Sequence, residues 1–65
     1  MKIVLNGEDR VIKSLSVEAL LVELNLSNKK LAIEHNKKIL PRDMYGSTSL
    51  TEGDNIEIVH FIGGG

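Results

Sequence analysis

Only one stretch of this chain has the apolar spacing of a helix, and the remaining apolar runs read as strands. Val17, Leu20, Leu21 and Leu24 recur at i, i+3, i+4 and i+7, which gathers them into one stripe and leaves Glu18 and Glu23 outside it. Ser16 stands where a side-chain oxygen can cap the first turn, Glu18 suits the positive end of the helix dipole, and Asn25 can take the left-handed conformation that ends a helix. A lone amphipathic helix has one face to bury. In a chain of 65 residues the surface it buries against must be one side of a sheet. The expected fold class is therefore α+β: two layers, a mixed sheet covered on one face by a single helix.

The strands follow from local pattern. Lys2 to Leu5 is β-branched and aliphatic, and Asn6 with Gly7 marks a hairpin turn, with the return strand read over Arg10 to Leu15. A strict two-residue turn would set Glu8 and Arg10 beside Leu5 and Ile3 and so waste an apolar face. The expectation is a longer turn over Asn6 to Asp9, pairing Ile3 with Ile12 and Val4 with Val11. Leu31 to His35 is a third strand, Asn36 and Lys37 a turn, and Lys38 to Leu40 a short return closed by Pro41, which has no N–H for a ladder. Arg42 to Leu50 lacks alternation and is expected as a turn or short helix anchored by Tyr45 and Leu50. Thr51 to Asn55 is a turn, and the last strand begins at Ile56. The period of two sends Ile56 and Ile58 toward the helix and Val59 and Phe61 to the opposite face. There they either form a docking surface or are covered by the Arg42 to Leu50 segment.

Composition narrows the chemistry. A formal net charge of -1 argues against a general nucleic-acid binder, and the lysine pairs at 29–30 and 37–38 are local. Without cysteine there is no disulfide, thiolate nucleophile or thiolate metal site. His35 and His60 are far apart, in no metal-ligand spacing, and are expected on strand surfaces. No run has the length of a membrane span and the N-terminus begins on a strand pattern, so a cytoplasmic protein is the expectation. With no legible arrangement of serine or tyrosine with histidine and carboxylate, the chain is not expected to be an enzyme itself.

The unusual feature is the end. Residues 63–65 are three glycines, Gly63, Gly64 and Gly65, expected as a flexible tail on a domain spanning 1–62. Without Cβ atoms such a tail can thread a channel too narrow for side chains. Its carboxylate is an anion at neutral pH, able to attack phosphorus but itself needing activation before anything attacks it.

The segments SVEALLVEL, LAIEHN, ILPRDMY and EGDNIEIVHFIGGG together resemble the ThiS family, the sulfur carriers of thiamine biosynthesis, which are small β-grasp proteins with a ubiquitin-like fold. The resemblance covers essentially the whole chain, and its most specific parts are Pro41 and Arg42, Gly53 and Asp54, and Gly64 and Gly65. It implies that a ubiquitin-activating-type adenylating enzyme, ThiF-like, joins the Gly65 carboxylate to AMP from ATP. Sulfur from a cysteine desulfurase or other persulfide donor would then leave a thiocarboxylate at Gly65, which a ThiG-like thiazole synthase consumes. On this resemblance Gly63 and Gly64 pass the constriction, Val59, Phe61 and Ile62 bind the partner, no cofactor is held, and the free carrier is a monomer. Tyr45 stands where the family often has tryptophan. Three other readings remain: the small subunit of molybdopterin synthase, a ubiquitin-like protein modifier, and an interaction module with an idle tail.

Overall fold

The computed structural model describes residues 1–27 and 29–60. In chain order these form strand β1 (Lys2–Leu5), strand β2 (Glu8–Val11), helix α1 (Val17–Glu23), strand β3 (Leu31–His35), strand β4 (Lys38–Leu40), a 3-10 turn (Arg42–Met44) and strand β5 (Asn55–His60). The five strands make one sheet in the order β2-β1-β5-β3-β4. β1 and β5 run parallel, and the other pairs are antiparallel. The last strand of the chain thus lies in the middle of the sheet.

Helix α1 has seven residues, too few to be stable alone in water, so tertiary packing must hold it. Its stripe does so: Val17, Leu20 and Leu21 are buried in one cluster with Ile3 of β1, Ile33 of β3 and Ile56 of β5. The predicted caps are both present. Ser16 Oγ accepts from the Ala19 N–H at 3.1 Å. At the other end Asn25 sits at φ 65, and the Leu26 N–H reaches back to the Leu21 carbonyl at 2.7 Å while the Asn25 N–H reaches Val22 at 3.0 Å. This pair of backward bonds closes the helix around a left-handed residue. Tyr45 and Leu50 bury themselves in the same cluster, as the anchors of the 42–50 segment.

The first hairpin departs from expectation. Asn6 (φ 50) and Gly7 (φ 83) form a two-residue turn, with Leu5 opposite Glu8, Val4 opposite Asp9, Ile3 opposite Arg10 and Lys2 opposite Val11. The longer turn and the Ile3–Ile12 pairing do not occur. Positive φ at both central residues matches the twist of the flanking strands, and Asn-Gly adopts it at little strain. The apolar face is not wasted, because β2 is an edge strand exposed throughout and Ile3 is covered by the helix. Ile12 enters the core one rung beyond the strand, exchanging bonds with Met1: the Ile12 N–H donates to the Met1 carbonyl at 2.8 Å, and the Met1 amine to the Ile12 carbonyl at 2.9 Å. Leu15, expected within this strand, is exposed in the loop before the helix. Likewise Asn55, read as part of a turn, already belongs to β5.

Glu23 stays at the surface as expected but is not idle. Its carboxylate accepts from the Lys13 and Ser14 N–H groups and from the Ser14 hydroxyl, tying the approach to the helix onto its last turn. The Ser14 bond is the main reason its carboxyl lies below the usual range.

Candidate functional site

Of the residues singled out for function, Val59 is described, whereas Phe61, Ile62, Gly63, Gly64 and Gly65 lie outside the described residues. The described residues that lead up to them form the base of the site. That base is strand β5, and its two sides are held differently. β3 accompanies it along its length, from His35 opposite Ile56 to Leu31 opposite His60. β1 accompanies only its beginning, Val4 beside Asn55 and Leu5 beside Ile56.

The alternation along β5 is the predicted one. Ile56 is fully buried under the helix and Ile58 packs against the same cluster, while Val59 is 58% exposed on the open face. Register places Val59 beside Ala32, and next to them Glu57 beside Glu34, which in turn lies beside Ile39 of β4. The open face thus carries exposed Val59 and Ile39 around two directly opposed carboxylates. Opposed like charges are mildly unfavourable in an isolated sheet. On the helix side, a cleft of about 290 Å³ is lined by Leu5, Leu24, Leu26 and Ile58 with Arg10 and His60.

The entry to β5 contains the principal polar cluster. His35 Nε2 lies 2.9 Å from Asp54 Oδ2, so this nitrogen donates to the carboxylate. The Thr51 N–H donates to the same oxygen at 2.9 Å, and Asn36 Nδ2 donates to Asp54 Oδ1 at 3.2 Å. Burial pushes the Asp54 carboxyl up, but the bonds from His35, Thr51 and Asn36 outweigh it and hold the group below its ordinary range. His35 was expected on a strand surface; its side chain is only 24% exposed because this pairing draws it against the turn. Sequence reading could not link residues 35 and 54, since no local pattern joins them. Gly53, which precedes Asp54, has φ 86 and donates its N–H to the Lys2 carbonyl at 2.8 Å, a conformation that a Cβ would strain.

Among the described residues no cluster of three or more His, Cys, Asp or Glu could hold a metal ion. No described helix is long and apolar enough to cross a membrane. The polar cluster is a structural clamp: His35 and Asn36 tie the end of β3 to Asp54, and the Thr51 bond closes the turn that carries Asp54.

A mixed five-stranded sheet with its last strand central and one helix across one face defines a β-grasp domain. Within that class the chain belongs to the ThiS family, whose model matches residues 3–65. It is 41% identical over 63 residues to the sulfur carrier protein ThiS of Bacillus subtilis, covering 94% of this chain and 96% of that protein. It is also 48% identical over 66 residues to a thiazole synthase of Paramagnetospirillum magneticum, matching all of this chain but only 20% of that protein. A Magnetococcus marinus thiazole synthase is matched over the same 20% share of its length. The crystal structure of the thiamine biosynthesis protein ThiS from Geobacter metallireducens superposes with a TM-score of 0.84 at 29% identity, each chain covered completely.

Proposed function

We propose that this chain is a sulfur carrier for thiazole formation in thiamine biosynthesis, with the carboxylate of Gly65 as its working group. The observation that carries this reading is the family match running through Gly65, together with near end-to-end likeness to the Bacillus carrier. β5 supplies the mechanical part. A central strand anchored by Ile56 gives the following residues a fixed point of departure from an otherwise compact domain.

The chemistry needs little from the domain itself. An adenylating enzyme of the ubiquitin-activating type lets the Gly65 carboxylate attack the α-phosphorus of ATP, and pyrophosphate leaves. Sulfur from a cysteine desulfurase or other persulfide donor then attacks the acyl carbon and AMP departs. A thiol reductant cleaves the resulting sulfur–sulfur bond, leaving a thiocarboxylate. Gly63 and Gly64 follow Gly65 through a channel closed to side chains. Val59, with Phe61 and Ile62, binds the partner. The acceptor is thiazole synthase, and the similarity of this chain to one segment of a thiazole synthase suits a carrier and acceptor that act together. In this scheme the chain is a recycled co-substrate working in the cytoplasm, and no step calls for a catalytic side chain of its own.

The test is the mass of the C-terminal peptide from protein expressed in thiamine-starved cells and cleaved after Glu57. A replacement of oxygen by sulfur on residues 58–65, lost when Gly65 is deleted, is expected. This peptide contains no methionine, whose oxidation would mimic the shift. An unmodified peptide, with adenylating enzyme and donor present, would falsify the carrier reading.

A further inference from the structure

Beyond Leu5, β1 no longer pairs with β5, because the chain turns away at Asn6 into the hairpin. At that point the strand edge of β5 would lose its neighbour. Asn6 fills the gap with both of its amide groups. Its backbone N–H donates to the Ile56 carbonyl at 2.9 Å, and its side-chain Oδ1 accepts the Ile58 N–H at 2.8 Å. One residue with left-handed backbone thereby continues the ladder by a further rung, close to where β5 ends at His60.

We propose that Asn6 is a positioning residue: by holding the Ile58 N–H on the side of β5 that β1 no longer covers, it sets the orientation of the last described residues of the strand, Val59 and His60, for the partner that takes the tail. The inference rests on the carrier reading for its consequence, since orientation matters only if a partner must receive the tail. Asparagine combines two properties needed here. It tolerates φ 50 in the turn, and its side chain reaches the neighbouring strand with an acceptor. Glycine has only the first. Aspartate has both.

This separates positioning from folding. Asn6→Gly keeps the turn and removes the acceptor, whereas Asn6→Asp keeps both. Amide exchange measured residue by residue should show Ile58 exchanging on the order of ten-fold faster in Asn6→Gly, with the amides of β1 and β2 unchanged and Asn6→Asp near the parent. Thiocarboxylate formation on the same proteins, with adenylating enzyme and sulfur donor supplied, should show a several-fold higher KM for the Asn6→Gly carrier at unchanged kcat, restored in Asn6→Asp. If Ile58 exchanges at the parental rate in Asn6→Gly, Asn6 holds nothing and the proposal is overturned. It is equally overturned if exchange rises and KM does not move. A parent chain that is never loaded instead defeats the carrier reading, and the exchange data then describe only a rung of the sheet.

Discussion

Strand β5 is gripped from each side by a hairpin-turn asparagine, one grip reinforced and the other not. At the entry Asn36 (φ 52) donates its N–H to the Asn55 carbonyl and accepts the Asn55 N–H on its side-chain oxygen, each at 2.8 Å. Further along, on the β1 side, Asn6 (φ 50) repeats this chemistry on Ile56 and Ile58. The entry clamp is then reinforced by Asp54, which joins Asn36, His35 and the Thr51 N–H. The Asn6 side chain has only its bond to Ile58 among the described residues. On the β3 side the ladder runs to His60, whereas on the β1 side Asn6 makes the last contact, through a single side-chain bond.

The comparison can be broken most forcefully at the strand both clamps serve. Ile56→Ala leaves a cavity under the helix and should cost about 2 to 5 kcal/mol in urea unfolding, lowering both clamps together. Asp54→Ala strips the entry clamp alone and should cost about 1 to 3 kcal/mol, with faster amide exchange at Asn55 and Asn36 but not at Ile58. A loss spread evenly over both clamps would show that the two are one unit.

Acid sharpens the same point. The folded Asp54 carboxyl titrates below its unfolded value, so its contribution is complete above the unfolded pKa of about 4 and is lost as pH falls through the lower folded value. The stability gap between the parent and Asp54→Asn should therefore narrow as pH falls below about 4. A smaller effect is expected at the second turn, where Lys37 sits at φ 72 without the freedom of glycine. Lys37→Gly should stabilise the domain by up to about 1 kcal/mol, making its turn the equal of Asn6-Gly7. Smallest of all, Val59→Ser on the open face should change stability by less than about 0.5 kcal/mol and, under the proposed carrier role, raise the KM of an adenylating enzyme for this chain.

The two hairpins also mark where a sequence can be read. For Leu31 to Leu40 the apolar pattern and the turn residues agree, and the strands fall where that pattern puts them. For Lys2 to Leu15 they conflict, and the turn chemistry of Asn6-Gly7 prevails because β2 lies at the sheet edge, where facing Arg10 costs little. Alternation governs a strand only where a second layer covers it. Val59 was legible on the open face for that reason, since Ile56 and Ile58 on the other parity had the helix to meet.

Local chemistry in the sequence determined the helix and its two caps, the two asparagine turns, the glycine at positive φ before Asp54, and the side-chain-free tail. These are properties of neighbouring residues, set by backbone sterics and short-range hydrogen bonds. Tertiary structure alone decided that β5 lies between β1 and β3. That order brings Asn6 to Ile58 and His35 to Asp54, pairs with no shared local pattern, because the free energy of burying Ile3, Ile33 and Ile56 beneath one short helix selects the strand order and the polar clamps follow from it.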